Sequence, residues 1–260
     1  MKTAVLITGK LDYFKETYNN ISDRLLSFLG DYDVFISTWD LSEQDKTDLI
    51  SLYNPKILDT EVFNENTKYL IHNHFNYQKA LDIEPKYGTR NSLYMWYKVN
   101  KGLNLIKEYS LFNDVKYDYV VRLRTDFFFT NYFDPTFLNE DIIIGPHLDH
   151  FSHLGAPHAS DNFFITPISQ LDNLAQLYFK YSDLWDSGNY ISPEHLYYDY
   201  LKDLNISFNK SNLKFGRTYE NVCILWAPSG EAFKGYEIDW VLNIKEEFEV
   251  DNNSQLNLIV

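Results

Sequence analysis

The sequence predicts an α/β protein, a mixed sheet flanked by helices, and two observations carry that class. β-branched, apolar runs ended by a glycine or a polar turn recur through the first half, as expected of strands buried on both faces. Between them apolar residues return every three or four positions, the spacing of helices that lay one side on a sheet. The 260 residues, 45% hydrophobic and 17% aromatic, suffice for a sizeable core.

The elements follow in order. TAVLIT, residues 3–8, reads as a central parallel strand, and Gly9 ends it. Phe14, Tyr18, Ile21 and Leu25 then repeat at helical spacing. DVFIS, residues 33–37, is a second strand, with Thr38, Trp39 and Asp40 at its carboxyl end. Ser42 with Glu43 behind it starts a polar helix. Residues 56–58 form a weaker third strand, and 64–87 read as a long polar and aromatic loop with short helical turns. Leu93, Trp96, Val99, Leu103 and Ile106 mark a strong helix that delivers the chain into a fourth strand, 117–123. Short strands are expected at 141–144 and 162–165, a helix after Pro167 with Leu171, Leu174, Tyr178 and Tyr181 on one side, and another from Ser192–Pro193–Glu194. One main domain over 1–250 is expected, followed by a poorly ordered polar tail, 251–260.

Composition excludes several classes. With 23 basic and 37 acidic residues the net charge is −14, which repels phosphates over most of the surface and argues against a nucleic-acid partner. Cys223 is the single cysteine, so neither a disulfide framework nor a cysteine-built zinc site is available. No run approaches the ~20 apolar residues of a membrane helix. A cytoplasmic protein is expected, with peripheral membrane association left open.

Ligands of open α/β sheets sit outside the carboxyl ends of the strands, which directs attention to three short stretches. At the first, Thr8–Gly9–Lys10, glycine lets the backbone approach a ligand and lysine can meet phosphate. The second is Trp39 and its neighbours. The third lies in YDYVVRLRTDFFF, residues 117–129, where Arg122, Arg124 and Asp126 alternate in an apolar run. A regular strand puts Tyr117, Tyr119 and Val121 on one face and Asp118, Val120, Arg122, Arg124 and Asp126 on the other. A bend at Thr125 is expected, aiming Asp126 into the cleft while Phe127–Phe129 anchor the next segment in the core. Buried arginines need anionic partners: carboxylates such as Asp118 or Asp134, or the phosphates of a ligand. His147, His150, His153 and His158 crowd GPHLDHFSHLGAPH, a glycine- and proline-punctuated loop that reads as sugar-contacting before it reads as a transition-metal site.

Taken in order, AVLITG, DVFISTW, YDYVVRLRTD, DNFFITP and SPEHL, spread over residues 3–205, resemble a group of nucleotide-sugar glycosyltransferases. These occur in bacterial capsule and lipopolysaccharide loci and in some large viruses, and include the WavE-like proteins. The resemblance implies a GT-A-type (Rossmann-type) fold, with a nucleotide-sugar-binding half at 1–130 and an acceptor half at 131–250. It implies donor contacts from Thr8, Gly9, Lys10, Arg122, Arg124, Thr125 and Asp126, with Asp126 holding Mn²⁺ or Mg²⁺. The family pattern usually has Gln or Arg after the first glycine, where this chain has Lys10, and two acids where Arg124–Thr125–Asp126 has one.

Glycosyl transfer from a nucleoside-diphosphate sugar, UDP- or GDP-linked, leaves a diphosphate whose charge a metal or cationic side chains must meet. An inverting reaction also needs a base at the acceptor hydroxyl, for which Asp161 and Glu194 are the candidates. Trp39, His147 and His150 are expected to contact a glycan or glycolipid acceptor. The alternatives are a non-catalytic nucleotide- or sugar-binding module and, on Asp126 as metal ligand, a phosphohydrolase.

Overall fold

The computed structural model describes residues 1–72, 89–138, 142–145, 159–186, 193–219, 222–226, 232–250, 253 and 255–259. The chain opens as the sequence predicts. Strand β1 (Lys2–Gly9) leads into helix α1 (Phe14–Arg24), then β2 (Asp31–Trp39), α2 (Glu43–Tyr53) and β3 (Ile57–Glu61). Ser42 caps α2 by accepting the Asp45 N–H at 3.1 Å. Helix α3 (Glu65–His72) occupies the start of the stretch read as a loop. The long helix α4 (Thr89–Asn113) then feeds β4 (Tyr119–Leu123) and, past a turn, β5 (Phe127–Phe129).

The second half supplies β6 (Ile142–Gly145), β7 (Phe164–Pro167), α5 (Leu171–Asp186), α6 (Pro193–Asp203) and β8 (Ser207–Lys210). After these come β9 (Phe215–Tyr219), β10 (Val222–Trp226), β11 (Ala232–Glu237), α7 (Ile238–Leu242), β12 (Glu247–Val250) and β13 (Leu256–Ile259).

Among the described residues seven strands form the main sheet, in the order β3-β2-β1-β4-β7-β6-β8. Strands β3, β2, β1 and β4 run parallel, β7 is antiparallel to both β4 and β6, and β8 is parallel to β6. The sheet is therefore mixed, and it draws strands from both halves of the chain. Alternation along β1 sorts the core into two faces. Ala4 and Leu6 pack with Trp96, Val99 and Leu103 of α4 and with α5 and α6. Val5 and Ile7 pack with Phe14 and Ile21 of α1 and Leu49 of α2. Helices thus cover both sides, and the carboxyl ends of the parallel strands open on one edge.

A second sheet, ordered β11-β10-β9-β5, was not visible as strands in the sequence. It begins where the expected bend falls: β4 ends at Leu123, the chain turns at Thr125–Asp126, and Phe127–Phe129 pair antiparallel with β9. All three phenylalanines are buried.

One expectation is corrected. Tyr117 lies before the regular strand and packs on the Val120 side, its hydroxyl donating to Asp33 at 2.7 Å, so it does not share a face with Tyr119 and Val121. Within the stretch expected to be a poorly ordered tail, Leu256–Ile259 form β13, which pairs antiparallel with β12. No described helix is long and apolar enough to cross a membrane.

Candidate functional site

The β1 and β4 ends come together because the two strands are neighbours in register, Ile7 beside Leu123. Gly9 closes β1 with φ +95°, a conformation that L side chains rarely adopt. A Cβ there would meet nothing within 4 Å, so the backbone faces open space, while the Gly9 carbonyl accepts the Thr38 hydroxyl at 2.7 Å. Lys10 follows with its side chain 79% exposed and its ammonium 2.9 Å from Asp12. The turn into α1 passes through Tyr13, a non-glycine residue at φ +61°.

At the end of β4 the arginines part company. Arg122 turns into the core and is fully buried. Its Nε donates to Thr8 Oγ1 at 3.0 Å and its Nη1 to the Asp161 main-chain carbonyl. Burial, together with the neighbouring Arg124, brings its pKa down to about 10. Arg124 lies beyond the strand and closes a bidentate pair on Asp126, Nε to Oδ1 at 2.8 Å and Nη2 to Oδ2 at 2.6 Å, while Nη1 donates to Asn162 Oδ1 at 3.1 Å. Arg217 of β9 adds a third contact, Nε to Asp126 Oδ2 at 3.1 Å. Both guanidinium groups sit over the Phe127 ring, at 5.3 and 5.8 Å. The acids considered as partners lie elsewhere: Asp118 accepts the Lys2 N–H at 2.6 Å, and Asp134 caps a short 3₁₀ turn through Thr136.

These elements enclose a pocket of about 460 Å³ lined by Lys10, Asp12, Tyr13, Glu16, Asp126, Arg217 and Thr218. Of the residues picked out in the sequence, Lys10 and Asp126 line it. Thr8 and Thr125 are fully buried supports. Thr8 accepts from Arg122, and the Thr125 hydroxyl donates to the Asp12 carbonyl at 3.0 Å, holding the loop that shapes the pocket.

Asp161 stands next to Arg122, 4% exposed, and burial pushes its carboxyl above the ordinary carboxylate range against the pull of Arg122 and Arg124. Asp161 Oδ1 and Arg122 Nη2 are buried with no hydrogen-bond partner among the described residues. Glu194 is half-buried in the first turn of α6, and its carbonyl accepts the Ala159 N–H at 3.1 Å, which brings the two candidate bases' segments side by side.

Trp39 does not offer a bare ring. Tyr97 stacks on it with centroids 6.1 Å apart, Phe63 packs at 4.7 Å and the Lys98 ammonium lies 4.5 Å from its centroid. Lys98 is itself buried and bonds Glu61 at 3.0 Å, so this corner is an internal polar cluster. His147 and His150 lie outside the described residues.

A Mn²⁺ or Mg²⁺ ion on Asp126 would have to share its carboxylate with Arg124 and Arg217. Both of its oxygens already accept guanidinium N–H groups. The other five lining residues, Asp12, Tyr13, Glu16, Arg217 and Thr218, carried no signal in the sequence reading. Arg217 sits in FGRTY, a short run with no strand signal strong enough to place it beside β5.

No family model matches this chain, and no curated protein does. Among solved structures it is similar to the glycosyltransferase GlyE of Streptococcus pneumoniae TIGR4, at 13% identity and a TM-score of 0.41. The alignment covers 80% of this chain and 45% of that one. The apo form of the same glycosyltransferase gives a TM-score of 0.42 at the same identity and coverage. This chain spans less than half the length of either structure.

Proposed function

We propose that this chain transfers a sugar from a UDP- or GDP-linked donor to a glycan or glycolipid acceptor. The observation that carries the reading is the convergence of Gly9–Lys10 after β1, Asp126 after β4 and Arg217 from β9 on one pocket at the carboxyl edge of the parallel strands. The resemblance of the ordered sequence blocks to nucleotide-sugar glycosyltransferases points the same way.

In the reaction the acceptor oxygen bonds the anomeric carbon as the bond from that carbon to the diphosphate breaks. Charge grows on the leaving phosphate oxygens, where cations placed beforehand stabilise it most. Lys10, Arg124 and Arg217 are the residues for that role. No step is assigned to a metal. For an inverting course Asp161 or Glu194 takes the acceptor proton. A carboxyl pushed up by burial is a stronger base than an ordinary carboxylate, which favours Asp161, provided that the 159–161 segment turns toward the acceptor.

Heating with UDP and with GDP tests binding. A ligand present at 100 times its Kd adds about 2.7 kcal/mol, and at about 2–4 °C per kcal/mol for a chain of this size Tm rises by about 5–10 °C. Incubation with UDP- and GDP-sugars and a mixed glycan acceptor then separates the alternatives. Sugar transfer supports the proposal, binding without turnover leaves a binding module, and release of free phosphate favours a hydrolase. No shift with either nucleotide at millimolar concentration overturns the reading.

A further inference from the structure

We propose that Asp126 is the resident counter-ion of a two-arginine anion site, and that a phosphate or diphosphate group competes with its carboxylate for Arg124 and Arg217. This rests on the reading above that the donor carries a diphosphate, and it replaces the role of Asp126 as metal ligand.

Three features carry it. The carboxylate presents to Arg124 the same pair of oxygens that a phosphate would, at 2.8 and 2.6 Å, and shares Oδ2 with Arg217 at 3.1 Å. The cations are the accessible partners: the Arg124 and Arg217 side chains are 26% and 39% exposed, against 8% for Asp126. Arg217 lines the pocket beside Asp126, so an oxyanion there meets its guanidinium and competes with the carboxylate for it, and the part-exposed Arg124 is the second cation on the same carboxylate.

The arginines are also positioned without Asp126. Phe127 lies under both, Asn162 accepts from Arg124, and Arg217 stands directly opposite Phe127 in the β5–β9 pairing. Asp126 is tethered in turn, its carbonyl accepting the Thr218 N–H at 2.9 Å and the Thr218 hydroxyl at 3.1 Å. With its main chain held, Asp126 keeps its carboxylate within reach of both arginines, so it remains a competitor throughout. Its consequence for the reaction is a weakened hold on the diphosphate product, which speeds release. Asp12 stands in the same relation to Lys10, 2.9 Å away.

The two roles predict opposite signs for one substitution. Removing a metal ligand abolishes metal-dependent binding, whereas removing a competitor strengthens anion binding. The experiment is calorimetric titration of the full chain with inorganic pyrophosphate and with UDP, in EDTA and separately in Mn²⁺. Wild type should bind pyrophosphate in EDTA, and Asp126→Asn should bind it about tenfold more tightly, the factor that 1.4 kcal/mol represents. Arg217→Ala should weaken it by a similar factor.

Equal or weaker binding by Asp126→Asn overturns the proposal. So does wild-type binding that needs Mn²⁺ and vanishes in Asp126→Asn, an outcome that leaves the glycosyltransferase reading standing. Failure of wild type to bind pyrophosphate or UDP under either condition overturns both. Should Asp126→Asn not fold, Arg217→Ala decides: lost EDTA-insensitive binding supports the site, and unchanged binding overturns it.

Discussion

Replacing Arg24 by methionine tests what holds the C-terminal segment to the main body. Arg24 ends α1 and is 2% exposed. Its Nη1 donates to the Thr130 carbonyl at 3.0 Å, and its Nη2 to those of Ile244, Lys245 and Glu246 at 2.9, 3.2 and 2.7 Å. Nη2 has two hydrogens for three carbonyls, so the contact is worth about three bonds. At about 1.5 kcal/mol each, the lower end for a charged donor, that gives roughly 4–5 kcal/mol. Removing the charge returns part of this, because burial holds the Arg24 pKa below its usual value and the ionised form carries a desolvation cost.

Methionine keeps much of the packing against Tyr132 and Phe248, which now face the guanidinium at 4.8 and 5.7 Å. The net expectation is a loss of about 3–4 kcal/mol, or about 6–16 °C in Tm at 2–4 °C per kcal/mol. Urea unfolding and a thermal scan measure it, and limited proteolysis reports whether residues 244–259 become cleavable first. A variant within about 1 kcal/mol of wild type, with an uncut C-terminus, refutes the reasoning.

Asp161→Asn should be more stable than wild type at neutral pH, because burial raises the Asp161 carboxyl in the folded chain. The folded state then holds its proton at pH values where the unfolded chain has released it, so wild-type stability falls as pH rises above the unfolded value of about 3.9. The difference between the two proteins should shrink as the pH falls below that value, as read by urea titrations across pH 3–8, and a variant less stable than wild type at neutral pH contradicts it. If Asp161 is the base, the same variant loses transfer while gaining stability. Gly216→Ala should cost about 1–3 kcal/mol, since the new Cβ falls against the fully buried Phe128 ring that faces it across the β5–β9 pair. It should also weaken pyrophosphate binding by displacing the adjacent Arg217, and unchanged stability in a thermal scan would show that the ring shifts freely.

The parallel half of the fold was legible because each strand there is buried on both faces and carries an unbroken apolar run. AVLI of β1 and VFI of β2 announce themselves without knowledge of their neighbours. Helix α4 was legible for a similar reason, since Leu93, Trp96, Val99, Leu103 and Ile106 all enter one core cluster. The second sheet was not. FGRTY and AFKGYE are strands because β10 lies between them and pairs with both, an arrangement no local pattern encodes. The C-terminal pairing was equally hidden: Arg24, 220 residues upstream of Ile244, supplies the donor that fixes the chain just before β12, on which β13 pairs.

At the site, period-two reasoning put Arg122, Arg124 and Asp126 on one face, and the fold divides them. Arg122, Arg124 and Asp126 share a face only while the strand stays extended, and β4 stops at Leu123. Arg122, inside the strand, is carried into the core, where it joins Thr8 to the segment before β7 and is not among the residues lining the pocket. Asp126, past its end, lines the pocket, and Arg124 pairs with it there. The end of β4 therefore separates an arginine held in the core from one paired with a pocket carboxylate. The sequence also held the reason that Asp126 could not serve as an open carboxylate, though not in readable form. Its second arginine lies 91 residues away, opposite Phe127 on a strand visible only once the second sheet is formed. A carboxylate beside one arginine two residues away still has lone pairs to give a cation. Flanked by two guanidinium groups held over one phenylalanine ring, it acts to set how tightly those groups can hold anything else.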